Sequence, residues 1–440
     1  MEEMTLFDFL PKQTVEPPPF VNGAKVLSLF DGMSCGMLAM LEAGVKVDRY
    51  VAYEIDKYAV QTSQHNFPMI EHKGDVFQAD FTEFEGFDWL VGGSPCTYWS
   101  IAQKNNRETE ASGMGWELFS QYVRALHEAK PAYFIYENNK SMSKAIRESI
   151  TQTFGFEPIC INSALVSAQN RQRLYWVGKR NEDGTYSKCD IEQPEDRGIL
   201  LRDVLEGATD REKGRSVICS AGRTTHREYY QKHQGNMAFE PVGCPRGREK
   251  SRTLTGGYQY CSQRDLRMDI ETEGYMGKQG VAEPVRVPEY GNGEKPRPIS
   301  ASYSHKGSGE GSLATDCFPD NPNKQVFDYV AEPVCCATPC EWDEDGKPTK
   351  AVSAADGKVY TVYEVKDGQI TIKGKTYPIK LADGFYIIRK LTVRECMRLQ
   401  TVPEWYEFPV SDSQAYKMLG NGWTVDVISH LINAVTKVRI

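Results

Sequence analysis

The sequence predicts an α/β fold, in which a Rossmann-like sheet of mostly parallel strands is interrupted by an inserted, irregular, β-rich domain. Short apolar segments alternate with helical stretches from about residue 24 to about residue 180, a pattern typical of parallel strands joined by helices. Gly, Arg, Ser, Thr and Tyr then dominate, and helical periodicity fades. Apolar residues at helical spacing return in LTVRECMRLQ and WTVDVISHLINAV near the end.

The elements of the first domain follow from its apolar runs. KVLSLF, RYVAYEI, YFIYEN and LYWVGK are predicted strands, and shorter apolar segments lie near residue 75 and at 88–91. Helical spacing predicts helices at 35–42, 57–65, 117–129 and 141–153.

The domain organisation follows from these changes in composition. A chain of 440 residues is long enough for two domains. We predict a tail at 1–22, a first domain at 23–185, an inserted domain at 186–387 and a segment at 388–440 that returns to the first domain. The stretch TLFDFL in the tail is either an end strap on that domain or a docking peptide for a partner such as a sliding clamp.

The inserted domain contains a faint repeat. EPV recurs at Glu240, Glu283 and Glu332, and small-residue segments follow in SRTLTGGY, PRPISASY and TKAVSAAD, with RSVICSAG as a possible fourth copy. Short similar β ribs would produce this pattern, and chance recurrence in sequence rich in Gly and Ser is the alternative.

Several classes of protein are disfavoured by the composition. The N-terminus lacks the basic start and long apolar core of a signal peptide, and the apolar runs are too short to span a membrane. Twelve cysteines without a secretory signal indicate free thiols in a reducing compartment, which we expect to be the cytoplasm. Cys317, Cys335, Cys336 and Cys340 lack zinc-ligand spacing, and we predict no metal.

A cofactor site is predicted where the first strands end. The first strand leads into FDGMSCG, whose glycines let the backbone approach a ligand closely. Glu54 follows the second strand, where an acid can accept hydrogen bonds from ribose hydroxyls, and Asp75 follows a third apolar segment. Each acid alone is commonly a solvated residue, but the series suggests a cofactor that contains a nucleoside.

A chemical site is predicted at the same edge of the sheet. GGSPC follows the apolar run at 89–91 and presents Cys96 on a loop. Little of a free thiol is ionised at neutral pH, so a nucleophilic Cys96 needs an activated substrate. Glu137 in YFIYEN could hold and donate a proton. Arg171 and Arg173, two residues apart, would share one face of an extended strand and could bind carbonyl or phosphate oxygens.

The ordered set FDGMSCG, GGSPC, YEN, QNRQR, LTVRECMRLQTVP and GNGWTVDV resembles the DNA (cytosine-5)-methyltransferase family of bacterial and phage type. The resemblance covers about 25–180 and 389–440. VLSLFDGMSCGM and GNGW are similar to the animal de novo branch. Asn139, where the family usually has an apolar residue, departs from the pattern, and we expect it to disturb strand packing more than proton transfer.

The resemblance implies S-adenosylmethionine as cofactor and a role for each matching residue. Phe30, Asp31, Gly32 and Gly36 would line its methionine and ribose part, and Glu54 would hold the ribose hydroxyls. Asp75 would bind the adenine amino group, and Asn421 and Trp423 would close the pocket.

Catalytic roles are also implied by the resemblance. Cys96 would attack carbon 6 of cytosine and Glu137 would protonate nitrogen 3. Arg173, with Arg171 as a further candidate, would orient the base, and Asn138 would support the Glu137 loop.

Duplex DNA is the expected partner. A base must leave the stack to be methylated, and the loop residues Tyr98, Ser100, Gln103 and Lys104 are candidates to fill the gap. The net charge is −8, but residues 211–267 contain twelve Lys or Arg against five Asp or Glu, which suggests either a phosphate-contacting surface or a solvated face. SRTLTGGYQY resembles the target-domain region of the family, and the DNA-contacting candidates there are Arg252, Thr253, Arg264 and Arg267.

Two alternatives are a transfer RNA cytosine-5 methyltransferase and a non-catalytic DNA-binding scaffold. The large inserted domain favours duplex DNA over transfer RNA, and retention of Cys96, Glu137 and Arg173 favours an enzyme over a scaffold. We expect a monomer on DNA, with a restriction endonuclease as a possible partner and no membrane association.

Overall fold

The computed structural model describes residues 23–100, 107–243 and 336–437, which fall into two compact units. The described part of the first unit is 23–100, 107–199, Ser216–Cys219 and 396–437. The described part of the second is Leu200–Arg215, 220–243 and 336–395. None of the helices in these ranges is long and apolar enough to cross a bilayer.

The first unit contains a mixed sheet. Its strands are β1 (Ala24–Leu29), β2 (Val47–Tyr53), β3 (Glu71–His72), β4 (Trp89–Gly92), β5 (Tyr133–Asn139), β6 (Ile159–Asn162), β8 (Gln172–Arg180) and β9 (Tyr186–Lys188), with the short β7 (Gln169–Asn170) outside the sheet. The strand order is β3-β2-β1-β4-β5-β8-β6, with β9 paired to β8. The first five strands of this order are parallel, whereas β8 is antiparallel to β5, β6 and β9.

This topology decides where ligands can bind. The chain moves outward from β1 to β2 and β3, then returns to place β4 and β5 on the other side of β1. Loops that leave the carboxyl ends of β1 and β4 therefore diverge, and a crevice opens between them. Because β8 is antiparallel, its first residues lie beside the end of β5, with Arg173 opposite Asn139.

Helices connect and flank the strands. They are α1 (Cys35–Glu42), α2 (Lys57–Asn66), α3 (Gly113–Ala129), α4 (Lys144–Phe154), α5 (His226–Tyr230), α6 (Val393–Leu399), α7 (Asp412–Asn421) and α8 (Val425–Lys437). The predicted strands and helices of the first domain are present with shifted ends. α3 begins four residues before the predicted start, and α4 begins three residues late because Ser143 caps it by accepting from the Ile146 N–H.

The core of the first unit is aromatic. Phe119 and Tyr122 of α3 pack with Tyr136, Phe154 and Trp176, all in one buried cluster apart from a small exposed part of Phe154. The hydroxyl of Tyr122 donates to the carbonyls of Leu90 and Ile135 on β4 and β5, at 3.1 and 2.9 Å. The hydroxyl of this buried phenol is hydrogen-bonded while its ring fills the core. These contacts hold α3 against β4 and β5, the strands that lead to predicted site residues.

The second unit is built on an antiparallel sheet. The strands of this sheet are β11 (Met237–Pro241), β12 (Thr338–Trp342), β13 (Pro348–Val352), β14 (Val359–Lys366), β15 (Gln369–Ile372), β16 (Lys375–Pro378) and β17 (Gly384–Lys390), and the short β10 (Gly214–Arg215) lies outside it. The sheet order is β11-β17-β14-β13-β12, with β15 and β16 added at β14. Asp367-Gly368 and Lys373-Gly374 make two-residue turns with positive φ at both positions, the geometry that suits tight hairpins.

A charged cluster is buried within the second unit. Arg389 on β17 has a fully buried side chain and contacts the carboxylates of Glu240 and Glu395. Glu240 also accepts from the Ser353 hydroxyl at 2.7 Å and the Ala354 N–H at 2.9 Å. Glu395 accepts from the backbone N–H groups of Glu206 and Thr392. Buried charges need such compensation, and here each carboxylate has several donors.

The structure moves two features of the predicted organisation. The division falls at 199/200 and 395/396 rather than 185/186 and 387/388. The second boundary moves because β17 pairs with β11 and β14 of the second unit. RSVICSAG is not a rib, since its strand ends at Arg215 and Ser216–Cys219 belong to the first unit. The EPV segments at Glu283 and Glu332, with SRTLTGGY and PRPISASY, lie outside the described residues.

Candidate active site

The first unit gathers the predicted site residues at one edge of its sheet. β1 leads into 30–36, β2 into Glu54 and β4 into the loop with Cys96. Glu137 lies near the end of β5, one position beyond the pairing of Gly92 with Tyr136. Arg173 reaches the same edge because β8 begins there. Strand direction alone therefore brings five segments together.

The turn after β1 has a strained backbone. Phe30, Gly32 and Ser34 all have positive φ, at 57°, 60° and 62°. Non-glycine residues seldom adopt this conformation, and it is often concentrated at functional sites. A Cβ added to Gly32 would meet no atom within 4 Å, so there is open space beside this backbone.

Asp31 holds this turn from inside the protein. Its carboxylate accepts hydrogen bonds from the hydroxyls of Ser28 at 2.6 Å, Tyr50 at 2.7 Å and Ser34. Burial raises the pKa of Asp31 above its ordinary value, and the three hydroxyls act in the opposite direction. The carboxylate is directed at hydroxyls of its own unit, and the expectation that Asp31 lines the cofactor stays a prediction.

Glu54 closes the turn from the end of β2. Its Oε2 accepts from the Gly32 N–H at 2.8 Å, and its Oε1 accepts from the N–H groups of Ile55 and Asp56 at 2.8 Å each. Burial raises the pKa of Glu54, and these backbone donors oppose the shift. A carboxylate oxygen has two acceptor positions, so Oε2 can hold Gly32 and accept from a ligand hydroxyl as well.

Asp75 is placed with an oxygen to spare. Its Oδ1 accepts from the Phe77 N–H at 3.0 Å, and its Oδ2 has no hydrogen-bond partner among the described residues. Sequence reasoning missed two apolar neighbours of these acids. Ile55, directly after Glu54, is 77% exposed, and Phe77, two residues after Asp75, is 46% exposed. A large apolar residue one or two positions after each acid is the signal that could have identified them.

The GNGW segment packs on the start of α1. A Cβ added to Gly422 would lie 3.2 Å from the Cys35 Sγ. Burial raises the pKa of Cys35 to about 12, so it is a neutral structural thiol. Asn421 accepts from the Cys219 thiol at 2.7 Å. Gly36 is equally constrained, because a Cβ there would lie 2.6 Å from the Tyr50 hydroxyl.

The loop that carries Cys96 is anchored to β5. The hydroxyls of Ser94 and Tyr136 lie 2.6 Å apart, and the buried Asn138 side chain donates to the Ser94 carbonyl at 3.2 Å. Cys96 begins a short 3₁₀ turn that ends at Tyr98. The role expected of Asn138 as a support therefore has a physical basis, although it supports the Cys96 loop.

Glu137 has an ion pair with Arg173 and a hydrogen bond from Trp423. Arg173 Nε lies 3.0 Å from its Oε1, and Trp423 Nε1–H donates to its Oε2 at 3.0 Å. The side chains of Arg173 and Glu137 are 17% and 13% exposed. A Cβ added to Gly93 would lie 3.0 Å from Glu137 Oε2. The glycine before Ser94 therefore lets the Cys96 loop run against this carboxylate.

Arg171 does not take the role that its spacing suggested. Its guanidinium is buried and donates to the carbonyls of Val217, Gly420 and Gly422 at 2.7–3.1 Å, and to the Ser216 hydroxyl at 3.0 Å. These hydrogen bonds use the guanidinium N–H groups that would otherwise donate to a base. Arg171 is thus a clamp on the GNGW segment, and the prediction that it could orient a base is corrected.

The expected disturbance at Asn139 is also wrong. β5 continues through Asn139 in unbroken register with β8. The Asn139 side chain donates to the Asn138 Oδ1 at 3.2 Å and accepts from the Ser141 hydroxyl at 2.6 Å. Its polar atoms are satisfied locally, so a polar residue is accommodated at this buried position.

The loop after Cys96 is pinned at its base. The Glu108 N–H donates to the Tyr98 carbonyl at 2.9 Å, and the Glu108 carboxylate accepts from the fully buried Trp99 indole at 3.0 Å. Tyr98 and Trp99 are therefore parts of the base, and Ser100 is the last described residue before the gap. Gln103 and Lys104 lie outside the described residues, as do Arg252, Thr253, Arg264 and Arg267.

Five described basic residues of the segment 211–267 have two kinds of environment. Arg211 and Arg215 lie over the Tyr229 ring, at 5.1 and 5.0 Å from its centroid, and so contribute to packing. Arg223, Arg227 and Lys232 are exposed. The exposed group is the part of this segment that can contact phosphate.

The chain is similar to known cytosine-5 DNA methyltransferases. The family model described as C-5 cytosine-specific DNA methylase matches residues 24–437. The chain is 26% identical to the orphan methyltransferase M.SPRI of Bacillus phage SPR, over 92% of this chain and 96% of that protein. It is 30% identical to the type II methyltransferase M1.ScrFI of Lactococcus lactis subsp. cremoris, over 44% of this chain and 53% of that protein. A solved DNMT2 variant from Spodoptera frugiperda aligns with a TM-score of 0.48 at 14% identity, over 94% of this chain and 99% of that one.

Proposed function

The chain belongs to the C-5 cytosine-specific DNA methylase family and is a DNA (cytosine-5)-methyltransferase, and we propose how its residues carry out that reaction. The methyl donor of this family is S-adenosylmethionine. We propose that Cys96 forms a transient bond to carbon 6 of a cytosine that has left the duplex, and that Glu137 supplies a proton to nitrogen 3. The observation that carries the proposal is the approach of the Cys96 loop to Glu137 at Gly93.

The residues at the strand ends fit the cofactor. The open space beside Gly32, the spare oxygen of Asp75 and the exposed Ile55 side chain offer room, a polar acceptor and an apolar surface. We propose that Glu54 accepts from the ribose hydroxyls, that Asp75 accepts from the adenine amino group and that Phe30, Gly36, Asn421 and Trp423 border the pocket. When bound, the cofactor supplies an electrophilic methyl group.

The proton-transfer steps follow from the position of Glu137. Addition of the Cys96 sulfur to carbon 6 places electron density on the ring, and a proton from Glu137 at nitrogen 3 leaves a neutral enamine. Carbon 5 of this enamine is the nucleophile that takes the methyl group. Loss of the proton from carbon 5 to water and expulsion of the Cys96 thiolate then restore the aromatic ring, and the proton on nitrogen 3 returns to Glu137. Arg173 keeps the Glu137 carboxyl oriented through these steps.

DNA recognition is assigned to the second unit. Its exposed Arg223, Arg227 and Lys232 belong to the basic segment 211–267, and phosphate contacts of this kind position a protein on the duplex. We propose that residues beyond Ser100 fill the space left by the extruded base, because Tyr98 and Trp99 are fixed in the base of that loop. Its relatives include an orphan phage methyltransferase and a type II methyltransferase, so protection against a partner endonuclease is one role that we propose to test.

Covalent capture tests the proposal. Bisulfite sequencing of a plasmid grown with this gene would first reveal the methylated sequence. A duplex with 5-fluorocytosine at that position should then form a denaturation-resistant adduct with the wild-type protein and S-adenosylmethionine. Cys96→Ala should form none, whereas Cys160→Ala on β6 should match the wild type. A wild-type protein that captures transfer RNA but not the duplex, or Cys96→Ala that still forms the adduct, would reject the proposal.

A further inference from the structure

Trp423 and its neighbour Gly422 contact both halves of the site. The Trp423 indole N–H donates to Glu137 Oε2 at 3.0 Å, across 286 positions of sequence. Gly422 packs on the Cys35 thiol, where an added Cβ would lie 3.2 Å from Sγ, at the start of the helix that follows the strained turn. The GNGW segment therefore joins the acid on β5 to the turn after β1, and both contacts lie within the first unit.

We propose that Trp423 is a positioning residue that holds Glu137 through the indole N–H and so links the proton donor to the cofactor-binding turn. The proposal rests on the proposed function, because it assumes that Glu137 is the proton donor. It assigns to the indole a task that is separate from bordering the cofactor pocket.

The two partners of Glu137 bind different oxygens. Arg173 Nε forms an ion pair with Oε1 at 3.0 Å, whereas the indole N–H of Trp423 donates a hydrogen bond to Oε2 at 3.0 Å. A hydrogen bond depends strongly on the angle at the donor and the acceptor, so the indole is the partner that orients the plane of the carboxyl group.

The surroundings leave few other ways to orient Oε2. Gly93 provides space without a side chain, and its absent Cβ would have come within 3.0 Å of this oxygen. Asn138, the next residue, turns its amide to Ser94 and Tyr136 instead. Among the described residues, Trp423 is the only side-chain donor to Oε2. Removal of its N–H should therefore let the Glu137 carboxyl group rotate while its ion pair with Arg173 remains.

Steady-state kinetics provide the first test. Trp423→Phe keeps an aromatic ring but removes the N–H. With tritiated S-adenosylmethionine and unmethylated plasmid DNA, we expect kcat to fall about ten-fold, the loss typical of one hydrogen bond to a charged group, with both KM values within about three-fold. Trp405→Phe is the matched control. The half-exposed Trp405 indole packs on Phe67 with 6.0 Å between ring centroids, so this substitution should leave kcat unchanged.

A spectroscopic measurement provides the second test. The chain has seven tryptophans, and the indole ¹H–¹⁵N signal of Trp423 is identified by its loss in Trp423→Phe. Glu137→Gln should shift this signal and leave the signal of Trp405 in place, with no DNA or cofactor present.

The outcomes separate this inference from the proposed function. An indole signal that ignores Glu137→Gln, or a Trp423→Phe enzyme with a raised KM for S-adenosylmethionine and an unchanged kcat, would overturn the inference. Full activity of Glu137→Gln would instead reject the acid role of Glu137. A reduced kcat together with a shifted indole signal supports the positioning role.

Discussion

Two arginine–carboxylate clusters, one in each unit, show how the same pair of groups serves different ends. In the second unit, Arg389 contacts Glu240 and Glu395 with no exposed side-chain surface. Backbone N–H groups donate to both carboxylates, and the Ser353 hydroxyl also donates to Glu240. In the first unit, Arg173 forms an ion pair with Glu137 at a partly exposed position, and the neutral indole of Trp423 donates a hydrogen bond to the same carboxylate.

The difference lies in how completely each carboxylate is satisfied. A buried carboxylate with a full set of donors is costly to disturb, and it contributes a fixed structure. The Glu137 carboxylate has only an ion pair with Arg173 and one hydrogen bond from Trp423, so acceptor positions remain for a substrate. Burial and donor number together separate an ion pair that maintains a fold from one that can take part in a reaction.

The largest effect should come from Glu137→Gln. Gln cannot donate a carboxyl proton, so we expect the rate of methyl transfer to fall at least about a thousand-fold, within the range of general acid catalysis. The free energy of unfolding should change by less than about 1 kcal/mol, because the side chain retains its size at a partly exposed site. Tritium transfer and urea denaturation measure the two quantities. A stability loss above about 3 kcal/mol would place this cluster with the structural one.

Arg389→Met should have the next largest effect, and on stability. The substitution leaves two carboxylates buried without their cation, which costs about 3–5 kcal/mol. Urea denaturation of the full chain measures this loss. Arg398→Met is the control, because its pair with Glu404 is 30% and 46% exposed and such pairs contribute about 1 kcal/mol or less. Equal losses in both variants would contradict the comparison.

Arg171→Lys should have an intermediate effect that sharpens the contrast between the two neighbouring arginines. An ammonium cannot reach the three carbonyls that the guanidinium spans. We expect a loss of about 1–3 kcal/mol in unfolding free energy and a raised KM for S-adenosylmethionine as the GNGW segment loosens. Arg173→Lys should instead lower kcat with little change in stability. A pattern in which Arg171→Lys affects kcat alone would restore the base-orienting role.

Asn139→Val should have the smallest effect. It replaces a locally satisfied amide with the apolar type that the family usually has, and β5 already runs through this position in register. The unfolding free energy should change by less than about 1 kcal/mol, with methyl transfer unchanged. A larger loss would show that the hydrogen bond from Ser141 maintains the end of β5.

Much of the fold was predictable because it depends on local pattern. Apolar runs located β1, β2, β4 and β5, and strand direction then brought Glu54, Cys96 and Glu137 to one edge. The start of α3 was missed because Gly113 and Gly115 are poor helix formers, yet a Cβ at Gly115 would lie 2.5 Å from the Trp99 indole. Close packing against Trp99 therefore requires glycine in this first turn, and packing outweighs propensity.

The site was predictable in its members but not in all of their partners. Spacing suggested that Arg171 and Arg173 act together, since residues two apart on a strand share a face. The partners of Arg171 come from residues 216–217 and 420–422, distant in sequence, and no local pattern records them. The contact between Trp423 and Glu137 was hidden for the same reason.

The separation between Glu137 and Trp423 has a consequence for biosynthesis. The glutamate leaves the ribosome 286 residues before the tryptophan that bonds it, an interval of roughly 15–60 s at ordinary rates of translation. Throughout this time the nascent first unit lacks the C-terminal segment that contacts Glu137, and the whole second unit is synthesised before that segment. A polypeptide released early would carry the nucleophile and the acid and still be unable to methylate DNA.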